Sequence, residues 1–132
     1  DRFTIELICD HDQEVFVDAD EFKIYQVVYN LINNALNYSG DSRHVIVRQE
    51  CIGDTVKVSV QDFGPGIAKE NLPLVWERYY KVDKEHRRSF NGSGLGLAIV
   101  RKILELHNAQ YGVDSTLGQG STFWFCLKVS DE

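Results

Sequence analysis

The 132-residue chain is 43% hydrophobic and 26% charged, a size and balance that suit one compact domain and exclude a disordered tail. No apolar run approaches the roughly 20 residues that cross a bilayer, and 14 Lys and Arg against 20 Asp and Glu leave a net charge of −6. That balance argues against a nucleic-acid surface, because phosphate backbones need a basic face. The three cysteines, Cys9, Cys51 and Cys126, are an odd number without metal-ligand spacing, so a reducing compartment is expected rather than a disulfide framework.

In chain order, Phe3 to Cys9 and Val15 to Val17 have the pattern of two short strands around the polar turn His11-Asp12-Gln13. The opening residues alternate polar and apolar, unlike a signal peptide. From about Asp20 to Tyr38, the apolar residues Phe22, Ile24, Val27, Val28, Leu31, Ile32, Ala35 and Leu36 recur at helical spacing. Asp18 or Asp20 is available as N-cap and Gly40 as terminator. Val45 to Cys51 and Thr55 to Gln61 then alternate through Gly53-Asp54, the pattern of an antiparallel hairpin. Past Asp62 comes a glycine turn, then a charged and aromatic stretch to about Asn91, too long and irregular for an ordinary connection and of the kind that is either a functional lid or disordered. Helical periodicity returns from Gly94 to near Asn108, and Tyr111 to Ser115 and Thr122 to Val129 form two last strands around Gly118-Gln119-Gly120. The mixture of strands and helices, without regular alternation, predicts a two-layer α/β sandwich: a mixed, mostly antiparallel sheet with helices on one face.

Three motifs carry chemistry. Gln26, Asn30, Asn34 and Asn37 share one helix face, where carboxamides offer oxygens to a hard cation and donors to phosphates; a solvated face would have the same pattern. Asp62-Phe63-Gly64-Pro65-Gly66-Ile67 places a carboxylate at a strand end, with glycines that let backbone approach a ligand. Gly92-Ser93-Gly94-Leu95-Gly96-Leu97 sets three alternate glycines before a helix, offering bare N–H groups to phosphates. It is neither a Rossmann fingerprint, since no strand precedes it, nor a P-loop, since no Gly-Lys-Ser/Thr follows. Between Glu77 and Arg88, five basic residues (Arg78, Lys81, Lys84, Arg87, Arg88) face three acidic ones (Glu77, Asp83, Glu85), a local excess that suits an anion.

In this order the motifs resemble the catalytic and ATP-binding domain of bacterial sensor histidine kinases, within the gyrase, heat-shock-chaperone and histidine-kinase ATP-binding superfamily. Asn30 to Ala35 resembles its N box, Asp62 to Gly66 its first glycine box, and Trp76-Glu77-Arg78-Tyr79-Tyr80 its F box. Gly92 to Leu97 resembles the second glycine box and Gly118 to Thr122 the third. The resemblance covers nearly the whole chain and implies one domain over residues 1–132 with the Bergerat ATP-binding fold and an ATP lid at about 68–91.

It further implies ATP and Mg2+ as cofactors. Asn34 is expected to ligate the metal, with Asn30 assisting. Asp62 should accept from the adenine amino group, Tyr38 and Ile67 flank the base, Gly66 admit the purine and Thr122 support the adenine end. The backbone from Gly92 through Ser93, Gly94, Leu95 and Gly96 to Leu97 should cradle the phosphates, with Lys81 and Arg78 reaching the terminal one. Asn37, Gly64 and Tyr80 are also expected at the nucleotide. Position 37 is Asn where the family usually has Lys or Arg, and Trp76 and Tyr79 replace the common F-box phenylalanines. In the ATPase branches, a glutamate that activates water stands where this chain has Asn30, which as an amide cannot take the proton. The resemblance thus implies phosphotransfer to a histidine on a separate dimerisation domain, with the response regulator an indirect partner. None of His11, His44, His86 or His107 lies in an acceptor box. The chain is expected to be a monomeric, cytoplasmic catalytic fragment of a larger sensor that is membrane-anchored or not, without membrane contact of its own. The alternatives are a nucleotide-binding interaction module without phosphotransfer and an anti-sigma-factor-like serine kinase.

Overall fold

The computed structural model describes residues 4–9, 16–39, 42–77 and 96–130. Its elements are β1 (Thr4–Cys9), α1 (Glu21–Asn37), β2 (His44–Ile52), β3 (Thr55–Asp62), a 3-10 helix (Lys69–Leu74), α2 (Gly96–Leu106), β4 (Gln110–Thr116) and β5 (Gly120–Lys128). The strands form one sheet in the order β1-β2-β3-β5-β4. β1 runs parallel to β2, as a strand returning through a helix must, and the remaining pairs are antiparallel. The expected mixed, mostly antiparallel α/β architecture is the one observed.

Why α1 forms here is legible at its start. Asp20, not Asp18, is the N-cap: its Oδ1 accepts from the N–H of Phe22 at 3.0 Å and of Lys23 at 3.2 Å. The helix ends on Tyr38, whose N–H donates to the Asn34 carbonyl at 3.1 Å. Val27, Leu31 and Ala35, spaced by four, are buried against the sheet. Val45 and Val47 of β2, Val60 of β3 and Phe123, Phe125 and Leu127 of β5 supply the sheet side by two-residue alternation, and Val100, Ile103 and Leu104 of α2 complete the core. The helices pack side by side, and the Asp20 N–H donates to His107 Nε2 at 3.1 Å, which ties the start of α1 to the end of α2. Asn108 takes a left-handed φ of 53° just past α2, as its place at the helix end predicts.

Two expectations are corrected. The stretch after Asp62 is not irregular throughout: it contains the 3-10 helix, and Val75 and Trp76 behind it are buried in the core. Trp76 meets Tyr111 and Phe123 edge-on, with centroids 5.1 and 5.4 Å apart. The expected strand at Val15 to Val17 is reduced to a single bridge between Val17 and Val129, Val15 lying outside the described residues. Ala19, just beyond Val17, packs on the core, and the chain is already turning into α1 there.

Candidate functional site

A cavity opens where the C-terminal half of α1, the turn after β3 and the start of α2 converge over β5. Asn34 and Tyr38 line it from α1, Asp62, Pro65, Gly66 and Ile67 from β3 and its turn, and Leu97 from α2. Val75, Ser121 and Phe123 close it, giving mainly apolar walls around a few polar groups, the composition of a small-molecule site.

Asp62 is the central polar group. It ends β3, is 3% exposed, and its Oδ1 accepts from the Gly64 N–H at 2.9 Å. Burial pushes its carboxyl from 3.8 up to about 6, against the opposing pull of backbone hydrogen bonds from Gly64 and Ser121. The turn that follows admits only glycine at two places. A Cβ on Gly64 would overlap the Tyr38 carbonyl oxygen, and Gly66, at φ +78°, would drive a Cβ into the Thr116 carbonyl. The β4–β5 hairpin holds this turn from below. Gly118 N–H donates to the Pro65 carbonyl at 2.8 Å, and Ile67 N–H donates to Ser115 Oγ at 2.7 Å. Ser115 Oγ in turn hydrogen-bonds the Gly120 carbonyl at 3.0 Å and Ser121 Oγ at 2.8 Å.

The amide face of α1 is turned toward α2 rather than toward solvent. Asn30 and Asn34 are half-buried, and the nearest atom to a Cβ built on Gly96 is Asn30 Oδ1, at 3.9 Å. Asn37 is buried, and its Oδ1 has no hydrogen-bond partner. Asn37, expected at the nucleotide, is not among the residues that line the cavity. Among the described residues no group of three or more His, Cys, Asp or Glu side chains suits a metal, and the side-chain oxygens at the cavity are those of Asn34, Tyr38, Asp62 and Ser121.

The structure thus brings together Asn34, Tyr38, Asp62, Gly66, Ile67 and Leu97 at the cavity, with Gly64 bracing Asp62 and Asn30 and Gly96 facing each other beside it. Thr122 is corrected. Side chains alternate along β5, so Ser121 and Phe123 face the cavity and Thr122 points to the other face of the sheet. Ser121 and Ser115 are the residues that sequence reasoning missed. Ser121 lay inside the third glycine box, where strand alternation from the buried Phe123 could have picked it out; Ser115 carried no comparable signal. Arg78, Tyr80, Lys81, Gly92, Ser93, Gly94 and Leu95 lie outside the described residues, as does the expected lid beyond Glu77.

Fold and site together define an α/β domain whose ligand cavity joins an amide-bearing helix to a strand ending in a buried carboxylate. Residues 19–131 match the family described as histidine kinase-, DNA gyrase B-, and HSP90-like ATPase, and the chain belongs to that family. It is 38% identical over 125 residues to the sensor histidine kinase WalK of Bacillus subtilis, covering 92% of this chain and 20% of WalK. It is 39% identical over 128 residues to the adaptive-response sensory kinase SasA of Crocosphaera subtropica, covering 96% of this chain and 33% of SasA. The chain therefore spans between a fifth and a third of these two relatives. Among solved structures, the nucleotide-free catalytic domain of histidine kinase ThkA superposes with a TM-score of 0.79 at 28% identity, over 96% of this chain and 80% of that one. Full-length ShkA in complex with AMPPNP gives 0.75 at 29% identity, over 96% of this chain and 26% of that one.

Proposed function

We propose that the chain binds ATP with a magnesium ion in this cavity and supplies the γ-phosphate to a histidine on a separate dimerisation domain of a longer sensor kinase. The observation that carries the proposal is Asp62, a desolvated carboxylate in a mainly apolar cavity of this family's fold. Ionised, it accepts from the exocyclic amino group of adenine, whereas guanine would present an oxygen there and be repelled. Tyr38 and Ile67 flank the base. Asn34 holds the metal through its carboxamide oxygen, with Asn30 beside it, and magnesium when bound neutralises phosphate charge. Gly96 and Leu97 continue the phosphate cradle begun by Gly92 to Leu95, and Lys81 and Tyr80 belong to the same site.

Asn30 gives the site its direction. An amide accepts no proton at neutral pH, so water is not activated there and the γ-phosphate is kept for an external nucleophile. The response regulator is then an indirect partner, reached through the phosphorylated histidine, and the setting is cytoplasmic. No helix among the described residues is long and apolar enough to cross a membrane. The experiment is to mix this chain with γ-labelled ATP and a separately expressed histidine-bearing domain of its parent kinase. Acid-labile label on that domain, and none on this chain, is expected. Label on this chain's own histidines, or ATP binding without transfer to the domain, refutes the reading.

A further inference from the structure

Behind the cavity wall, the residues after the 3-10 helix are fastened to α2 and β4 by a closed loop of side-chain contacts. Val75 lines the cavity, and Trp76 is sunk in the core with its ring edge-on to Tyr111 at 5.1 Å. The next residue, Glu77, accepts from Arg101 Nη1 of α2 at 3.2 Å. One helical turn further along α2, Glu105 Oε2 accepts from the Tyr111 hydroxyl at 2.9 Å. The loop thus runs from Trp76 to Tyr111, to Glu105, along α2 to Arg101, and back to Glu77. None of Glu77, Arg101, Glu105 and Tyr111 lines the cavity, but the two elements they join each contribute a wall residue, Val75 on one side and Leu97 of α2 on the other.

Arg101 has two carboxylates within reach of its place on α2: Glu77, which it holds, and Glu105 at the i+4 position. The Tyr111 hydroxyl engages the second. Burial, and then the Glu105 carboxylate, push that hydroxyl above its ordinary range, so it keeps its proton and donates at neutral pH. We propose, resting on the nucleotide reading of the cavity, that Arg101 and Tyr111 are positioning residues for ATP: Arg101 holds Glu77, Tyr111 keeps Glu105 from competing for Arg101, and Val75 is thereby set relative to Leu97 before the nucleotide arrives. The ion pair is solvated, with Arg101 34% and Glu77 54% exposed, so breaking it leaves Trp76 seated and costs the fold little. What falls is the fraction of molecules whose cavity wall is in place, and the apparent Kd rises by the inverse of that fraction.

The test combines calorimetric titration with magnesium-ATP, phosphotransfer kinetics with the histidine-bearing domain, and amide hydrogen exchange of the unliganded chain. Arg101→Gln and Glu77→Gln should each raise Kd and KM for ATP about two- to fivefold, with kcat and thermal stability nearly unchanged. The double variant should be no weaker than either single one, because both remove the same contact, and Arg101→Lys should recover most of the binding. Tyr111→Phe keeps the ring on Trp76 and frees Glu105, so it should weaken ATP to a similar extent, and in a Glu105→Gln background it should have no effect. Exchange at Val75 to Glu77 should quicken in Arg101→Gln. Variants that bind ATP as the parent does, losses that add in the double variant, or unchanged exchange at Val75 to Glu77 overturn the proposal. A parent that binds no ATP refutes the nucleotide reading and, with it, the role of the loop in binding, while the exchange data show separately whether Arg101 holds the wall.

Discussion

Replacing Asp62 by Asn should make the unliganded domain more stable while disabling it. Burial raises the carboxyl from 3.8 to about 6. Because the native value lies above the unfolded one, the folded state binds the extra proton between those two pH values. Stability is therefore lost as pH rises through that window and stays lost above it. Two units at about 1.36 kcal/mol each put the cost at about 3 kcal/mol at pH 8. Asn keeps a side-chain oxygen for the Gly64 and Ser121 N–H groups, and the charge that strengthens those bonds in the carboxylate is already counted in the raised value. The expected gain at pH 8 is about 3 kcal/mol, a rise in Tm of roughly 10 °C for a domain of this size. At pH 4.5 the native Asp62 is protonated while the unfolded one is still mostly ionised, and the advantage should shrink to about 1 kcal/mol. Calorimetric melts of both proteins at the two pH values measure this, and titration with ATP should find the variant weakened about tenfold to a hundredfold. A variant less stable than the parent at pH 8, or equally favoured at both pH values, would refute the assignment of a burial cost to Asp62.

Gly64→Ala should destabilise by about 2–3 kcal/mol and abolish nucleotide binding, because the added methyl overlaps the Tyr38 carbonyl. In contrast, Gly53→Ala, at φ +60° with open space around it, should cost about 1 kcal/mol and leave binding intact; urea titrations and calorimetry separate the two. Trp76→Ala should cost about 3–5 kcal/mol by urea denaturation, since it empties a core position packed against Tyr111 and Phe123. Asn30→Glu should raise phosphate release from ATP above that of the parent, as it puts a proton acceptor beside Asn34; unchanged turnover with retained binding would show that position 30 is not aimed at water.

What the sequence disclosed about the site was local. Asp62, Gly64, Gly66 and the amide face of α1 announced themselves because each depends on a few neighbours in the chain: a strand end, a sharp turn, a helical period. The long hairpins and both α-helices were legible for the same reason. What stayed hidden depends on distant contacts. The helix at Lys69–Leu74 is two 3-10 turns containing Pro73, too short for a period to emerge, and its neighbour Trp76 is drawn inward by Tyr111 and Phe123, more than 30 positions away. Ser115 supports Ile67 across 48 positions, a hydrogen bond no local pattern foretells. Thr122 and Ser121 could be told apart only by the face each presents, which follows once Phe123 is known to be buried.

Two polar groups among the described residues are buried at a cost to the fold. Asp62 is a carboxylate held out of water, and Asn37 Oδ1 is a buried oxygen with no partner. Each lowers the stability of the domain, and of the two Asp62 lines the cavity, so a ligand that brings donors or positive charge to the end of β3 would relieve that one. A site built only for packing would place apolar side chains at both positions. The hairpin that clamps the Pro65–Ile67 turn through Gly118 and Ser115 explains how the fold tolerates them, because it holds the turn in place without help from the ligand. The cavity is therefore preorganised on its Asp62 side, and binding there need not first order the backbone that makes it, which leaves more of the interaction energy for selecting the ligand.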